Sequence, residues 1–137
     1  MNLKIIKTSD GSDTIYNSEL NETYHSLHGS INESNVVYIK NGIEFYLDQK
    51  RKKNIKVLEI GFGTGLNFLL THIFLEKRKE KILYHTLEPF PLSNDIIKRL
   101  NYVKKIGEQY LKTFELSHSE EPDKINDITE KIKFIKS

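Results

Sequence analysis

The sequence has no cysteine among its 137 residues, which excludes a disulfide framework, a thiolate metal site and a cysteine nucleophile. It has no apolar run near the ~18 residues that a membrane span requires. Its opening, Met-Asn-Leu-Lys-Ile-Ile-Lys, lacks the apolar h-region of a secretory signal, so a cytoplasmic protein is expected. It has almost no excess charge. Lys and Arg number 21 against 19 Asp and Glu, a net charge of +2, too small to imply nucleic-acid binding by itself. No internal repeat or low-complexity tract is visible. What remains is 37% hydrophobic, 29% charged and 10% aromatic, the composition of a globular chain. The length predicts a single domain over residues 1–137, able to bury a core.

Residues 3–16 read as a β-hairpin, with Ser9-Asp10-Gly11-Ser12-Asp13 as its turn. Residues 17–35 are polar and read as loop with short helix. The apolar spacing of Val36, Val37, Ile39, Ile43, Phe45, Tyr46 and Leu47 suits an amphipathic helix, although Asn41-Gly42 also permits two strands. Gln49 to Asn54 is a basic connection. Ile55 to Ile60 then predicts a buried strand, three alternating glycines follow, and Leu66 to Phe74 predicts a helix. A second strand, Ile82 to Leu87, ends at Glu88. After the Pro89-Phe90-Pro91 corner, Ser93 is placed to cap a helix with Ile96, Ile97, Leu100 and Val103 inside. Residues 107–116 suit a helix, 117–127 an exposed loop and 128–135 a terminal strand. The order strand, glycine loop, helix, strand, acid, helix is one and a half βαβ units of a parallel sheet.

The informative stretch is Glu59-Ile60-Gly61-Phe62-Gly63-Thr64-Gly65-Leu66-Asn67. Glycines at the end of a buried strand let the backbone turn sharply and let a ligand lie close, and the helix that follows offers free N–H groups. Glu88 ends the next strand, where an acid accepts hydrogen bonds from ribose hydroxyls. The pair points to an adenosine-containing cofactor. The spacing Gly-x-Gly-x-Gly departs from the Gly-x-Gly-x-x-Gly of dinucleotide sites. Glu59 would repel a pyrophosphate but suits a ligand with an ammonium and a sulfonium, as in S-adenosyl-L-methionine.

These residues resemble the first motif of the MnmC/MnmD-type tRNA (5-methylaminomethyl-2-thiouridine) methyltransferase family. Asp10-Gly11-Ser12, Glu22 to Ser26, Gly29 and Glu33-Ser34 are similar to its N-terminal signature, and Leu87 to Leu92 to its second cofactor motif. The likeness runs from residue 10 to about 102. It implies a Rossmann-like class I methyltransferase fold, an α/β sheet with flanking helices and an N-terminal β-hairpin. It also implies methyl transfer from S-adenosyl-L-methionine to the aminomethyl group of the modified wobble uridine of tRNA. By resemblance Gly61, Phe62, Gly63, Thr64 and Gly65 would wrap the methionine part and the sulfonium. Glu59 would lie near the amino group, Asn67 at the helix start, Glu88 on the ribose, and Tyr24 and Glu33 on the pocket rim.

The family carries a later segment of the kind Asp-Ala-Phe-Ala-Pro, whose aspartate faces the reacting amine, and this sequence has no such run. The chain is therefore expected to stop where the third strand begins, truncated at its C-terminal side. No catalytic residue is assigned, and an unpaired sheet edge with an uncovered apolar face invites self-association. A catalytically inactive remnant or nucleoside-binding module of the same fold is the alternative, with a small dinucleotide domain third. His25 and His28 are read as no metal site, since no third ligand lies nearby, with His25 as a hydrogen bonder on the pocket rim. The histidines at 72, 85 and 118 carry no motif. The Lys50–Lys53 run is a candidate contact for tRNA phosphates.

Overall fold

The computed structural model describes residues 2–118 and 121–137. Three short strands come first: β1 (Leu3–Lys7), β2 (Asp13–Asn17) and β3 (Glu22–Thr23). They form an antiparallel sheet in the order β1-β2-β3, with Ile5 opposite Ile15. The predicted hairpin is present, and its turn is held by Asp10, which accepts from the backbone N–H of Ser12 (2.9 Å) and of Asn32 (3.0 Å). One helical segment follows without a break, from α1 (Ser30–Ser34) through a π-helical stretch (Asn35–Glu44) to α2 (Phe45–Lys50). Asn41-Gly42 does not divide it. Ile39 and Leu47 face the core, and Arg51 ends the helix in the left-handed region at φ 49°.

A second sheet carries β4 (Asn54–Ile60), β5 (Lys81–Leu87), β6 (Asn126–Asp127) and β7 (Ile132–Lys136) in the order β4-β5-β7-β6. β4, β5 and β7 are parallel, and β6 runs antiparallel to β7. The expectation that the chain stops where the third strand begins is corrected here, and the terminal strand expected over residues 128–135 is present. β7 is that strand, paired with β5 from Ile82↔Ile132 to Thr86↔Lys136. The observed architecture is an α/β fold with a mixed sheet.

Helix α3 (Leu66–Leu75) joins β4 to β5 and is the pivot of the core. It is apolar around most of its circumference because it packs on both sides. Phe68 and Leu75 meet Ile82, Tyr84, Ile132 and Phe134 of the sheet. Leu66, Leu69 and Leu70 meet Ile15, Ile39 and the later helices α4 (Asn94–Arg99), α5 (Tyr102–Ile106) and α6 (Leu111–Ser117). Ser93 caps α4 as expected, its Oγ accepting from the Ile96 N–H. Asn101 and Tyr102 tie α5 to the hairpin. The Asn101 side chain accepts from the Asp13 N–H (2.8 Å), and the Tyr102 hydroxyl donates to the Asp13 carbonyl (2.7 Å).

One expectation for β4 fails. It is an edge strand with only one face covered, so Leu58 and Ile60 are 62% and 75% exposed. Alternation along a strand sends odd and even residues to opposite faces, and the helices lie on the face of Ile55 and Val57. The uncovered apolar face and unpaired edge anticipated from sequence are both present.

Candidate functional site

The glycine loop leaves β4 at the C-terminal end of the sheet. Gly61, Gly63 and Gly65 all have left-handed backbones, at φ 84°, 55° and 78°, a region that a Cβ makes costly. Their surroundings differ. A Cβ on Gly65 would come within 2.9 Å of both His118 Nε2 and the Phe62 ring, and one on Gly63 within 3.1 Å of the Tyr24 ring. At Gly61 nothing lies within 4 Å. The third glycine thus serves packing, and the open side of the loop is at Gly61.

Glu88 latches the loop to the end of β5. One of its oxygens accepts from the Gly63 N–H (2.8 Å) and the other from the Phe90 N–H (2.8 Å). The Gly61 N–H donates to the Leu87 carbonyl (2.8 Å). Burial raises the Tyr24 phenol above its ordinary pKa, and the Glu88 charge adds to the effect. Tyr24, Gly63 and Glu88 therefore form one cluster.

Glu59 lies beneath this cluster. It accepts from the Thr86 hydroxyl (2.9 Å) and from the Asn67 amide (3.3 Å). Burial pushes its carboxyl up; hydrogen bonds from Thr86, Tyr84 and Asn67 oppose the shift, and the Glu88 charge adds to it. The Asn67 side-chain oxygen, Oδ1, is buried and has no partner among the described residues, an acceptor facing no donor.

Phe62 and Thr64 turn away from the open side. The Phe62 ring is buried against His118 and Phe134, so its side chain does not face the open side of the loop. The Thr64 hydroxyl is buried against the His25 ring, with Oγ1 2.8 Å from Nε2. His25 in turn sits 3.7 Å from Glu33, whose carboxylate also accepts from the Ser26 N–H (3.2 Å). Glu33 thus supports His25 in the structure. On the other side His118 donates from Nε2 to the Thr64 carbonyl (2.9 Å). Two histidines therefore clamp one loop residue, His25 from the N-terminal module and His118 from the end of α6.

Burial lowers both histidines; Glu33 opposes the shift at His25. At His118 the value falls to about 4, with the Thr64 carbonyl opposing and Lys136 assisting. The sequence reading passed over His118. Its contact lies 54 residues away, and no local pattern marks it.

Beside Glu88 is a cavity of about 430 Å³, walled by Pro91, Leu92 and Ile97 and bounded by Ser93, His118 and Lys136. Among the described residues no group of three or more His, Cys, Asp or Glu is arranged to hold a metal ion. None of their helices is long and apolar enough to cross a membrane.

No family model matches the chain. It is 31% identical over 114 residues to the tRNA 5-methylaminomethyl-2-thiouridine biosynthesis bifunctional protein MnmC of Campylobacter jejuni serotype O:2, a match covering 74% of this chain and 18% of that protein. To the MnmC of Legionella pneumophila strain Corby it is 32% identical over 111 residues, covering 75% and 17%. The chain thus spans under a fifth of these relatives. Among solved structures, that of MnmC2 from Aquifex aeolicus superposes with a TM-score of 0.70 at 24% identity, over 99% of this chain and 42% of that one. That likeness shows the fold.

Proposed function

We infer, from a chain homologous to the N-terminal part of MnmC proteins, that it is one S-adenosylmethionine-binding domain of a tRNA-modifying methyltransferase. In this reading the fold is the first half of a Rossmann-like methyltransferase sheet, and the target is the aminomethyl group of the modified wobble uridine. The observation that carries the reading is the latch: Glu88 holds the Gly63 N–H at 2.8 Å beside an open Gly61.

The residues present fit the cofactor. Each Glu88 oxygen accepts one backbone N–H, leaving a lone pair on each for a ribose hydroxyl. The unpartnered Asn67 Oδ1 and the Glu59 carboxylate are acceptors suited to an ammonium. The apolar walls of the neighbouring cavity suit a flat aromatic base. Bound there, S-adenosylmethionine would supply an electrophilic methyl group. The chain's own part is to hold the loop still, through the His25 and His118 contacts to Thr64, and to orient the nucleoside end through Glu88. The bare face of the sheet favours a second reading, a nucleoside-binding module of the same fold that acts only with a covering partner.

Calorimetric titration with S-adenosylhomocysteine tests the main reading. Binding is expected, and Glu88→Ala should weaken it by ~1.5–3 kcal/mol, the worth of hydrogen bonds to a charged group. A folded sample that binds NAD and ignores S-adenosylhomocysteine would overturn it.

A further inference from the structure

The opposite end of the sheet has a different chemistry. Arg51, Lys52 and Lys53 lie in the connection into β4, Lys79 and Lys81 at the entry to β5, and Lys56 and Lys133 on the strands themselves. Two of the acids nearby are already engaged, since Asp48 (2.9 Å) and Glu80 (2.6 Å) both bond Arg78. Lys131 is also engaged, donating to the Leu75, Glu76 and Arg78 carbonyls at the end of α3. The cations named first form no ion pair among the described residues, and Glu130 is the one uncommitted acid lining the grooves between them. A chain of net charge +2 thus concentrates unpaired positive charge on one rim, while Glu59 and Glu88 stand at the other.

The shape of this rim is concave. One groove of about 390 Å³ is lined by Ile55, Ile82 and Leu83 and by Lys56, Lys81, Lys131 and Lys133, with Glu130 beside them. The register places Lys56 and Lys133 on either side of Leu83, two strand spacings or ~10 Å apart. A second groove of about 520 Å³ is walled by Arg51, Lys52, Lys53 and Lys79. Lysines act as mobile point charges that hold phosphates without reading bases. Cations walling grooves suit a ridge of repeating phosphates that enters them, whereas a bilayer presents a flat plane.

We propose that this N-terminal rim of the sheet is a docking surface for the phosphate backbone of an RNA. That the RNA is a tRNA rests on the reading above. β4 spans seven residues, roughly 23 Å at ~3.3 Å per residue. The rim is therefore a second contact, well separated from the glycine loop, and it sets how an RNA arm lies along the domain.

The test is binding of unfractionated tRNA by fluorescence anisotropy across a salt series. Two double variants are compared with the unaltered chain, Lys52→Glu with Lys53→Glu and Lys56→Glu with Lys133→Glu. These residues are exposed and remote from Glu88 and the glycine loop, and an unchanged thermal midpoint checks the fold independently of any cofactor. Each double variant should bind at least tenfold more weakly near 0.1 M salt. The slope of log K against log salt should fall by about one per lost contact. Equal affinity and slope in both variants would overturn the proposal and leave the tRNA reading standing. No tRNA binding by the unaltered chain would overturn both. Capture on phosphatidylglycerol vesicles that the variants lose, with tRNA binding retained, would make the rim a membrane contact and overturn the proposal alone.

Discussion

The two faces of the parallel sheet use the same residue types to opposite ends. On the α3 side Ile82, Tyr84, Ile132 and Phe134 are each at most 2% exposed, packed against Phe68 and Leu75. On the other side Leu58 and Ile60 of β4 are open to solvent, and Leu83, Leu87 and Ile135 are half-buried. Successive residues of one strand therefore differ in burial because a helix covers one face only. Apolar character in a strand shows what it can bury; the neighbouring elements decide whether it does.

Phe68 offers the largest test of that contrast. Its ring is fully buried and packs against Tyr84 and Phe134 at centroid distances of 5.1 and 4.5 Å. Phe68→Ala should cost ~3–5 kcal/mol in urea unfolding, from lost transfer energy and a residual cavity. Leu58→Ala removes a similar apolar side chain from the bare face and should stay within ~0.5 kcal/mol. Comparable losses from the two variants would mean that the bare face is covered in solution.

A smaller effect sharpens the contrast through pH. His118 is packed between Phe62 and Phe114 on the covered side, where burial holds it down to about 4. In the unfolded chain it titrates near ~6.5. Between these values the unfolded state binds more protons. The stability from a neutral His118 is therefore complete above ~6.5 and is lost as pH falls toward 4. The full loss is roughly 3 kcal/mol. His118→Gln keeps an N–H for the Thr64 carbonyl and removes the titration. Its unfolding free energy, subtracted from that of the parent chain, should show the slope. A difference independent of pH would remove His118 as a buried neutral group.

The sequence made local features legible and left non-local ones unread. The hairpin, the glycine loop, the Ser93 cap and the acid ending β5 rest on residues within a few positions of one another, and all are in the structure. β4 read as fully buried because Val57, Leu58 and Ile60 are apolar on both of its faces, and nothing within the strand says that one face lacks a helix. The spacing of residues 36–47 suited a helix, with two strands as the alternative, but neither the unbroken run from Ser30 to Lys50 nor the π-helical winding of Asn35–Glu44 was legible. The third strand was read as a terminal strand, while its pairing with β5 depends on a partner about fifty residues away. Gly65 was assigned to ligand approach, yet its lack of a Cβ makes room for Phe62 and His118, a demand that only the tertiary packing reveals.

The smallest expected change in stability carries the sharpest statement about the bare face. Leu58 and Ile60 point from the outer strand of the sheet into solvent, and a long, apolar, unpaired edge is a template for pairing with another chain. Lysine at both positions would place charges where edge strands are commonly protected. The double variant Leu58→Lys with Ile60→Lys should leave the thermal midpoint of dilute protein nearly unchanged, because neither side chain contributes to the core. In sedimentation at rising concentration it should remain monomeric where the parent chain associates. A double variant that unfolds several degrees earlier would show that these two side chains are buried within the monomer, and the division of the sheet into a covered and a bare face would fall with it.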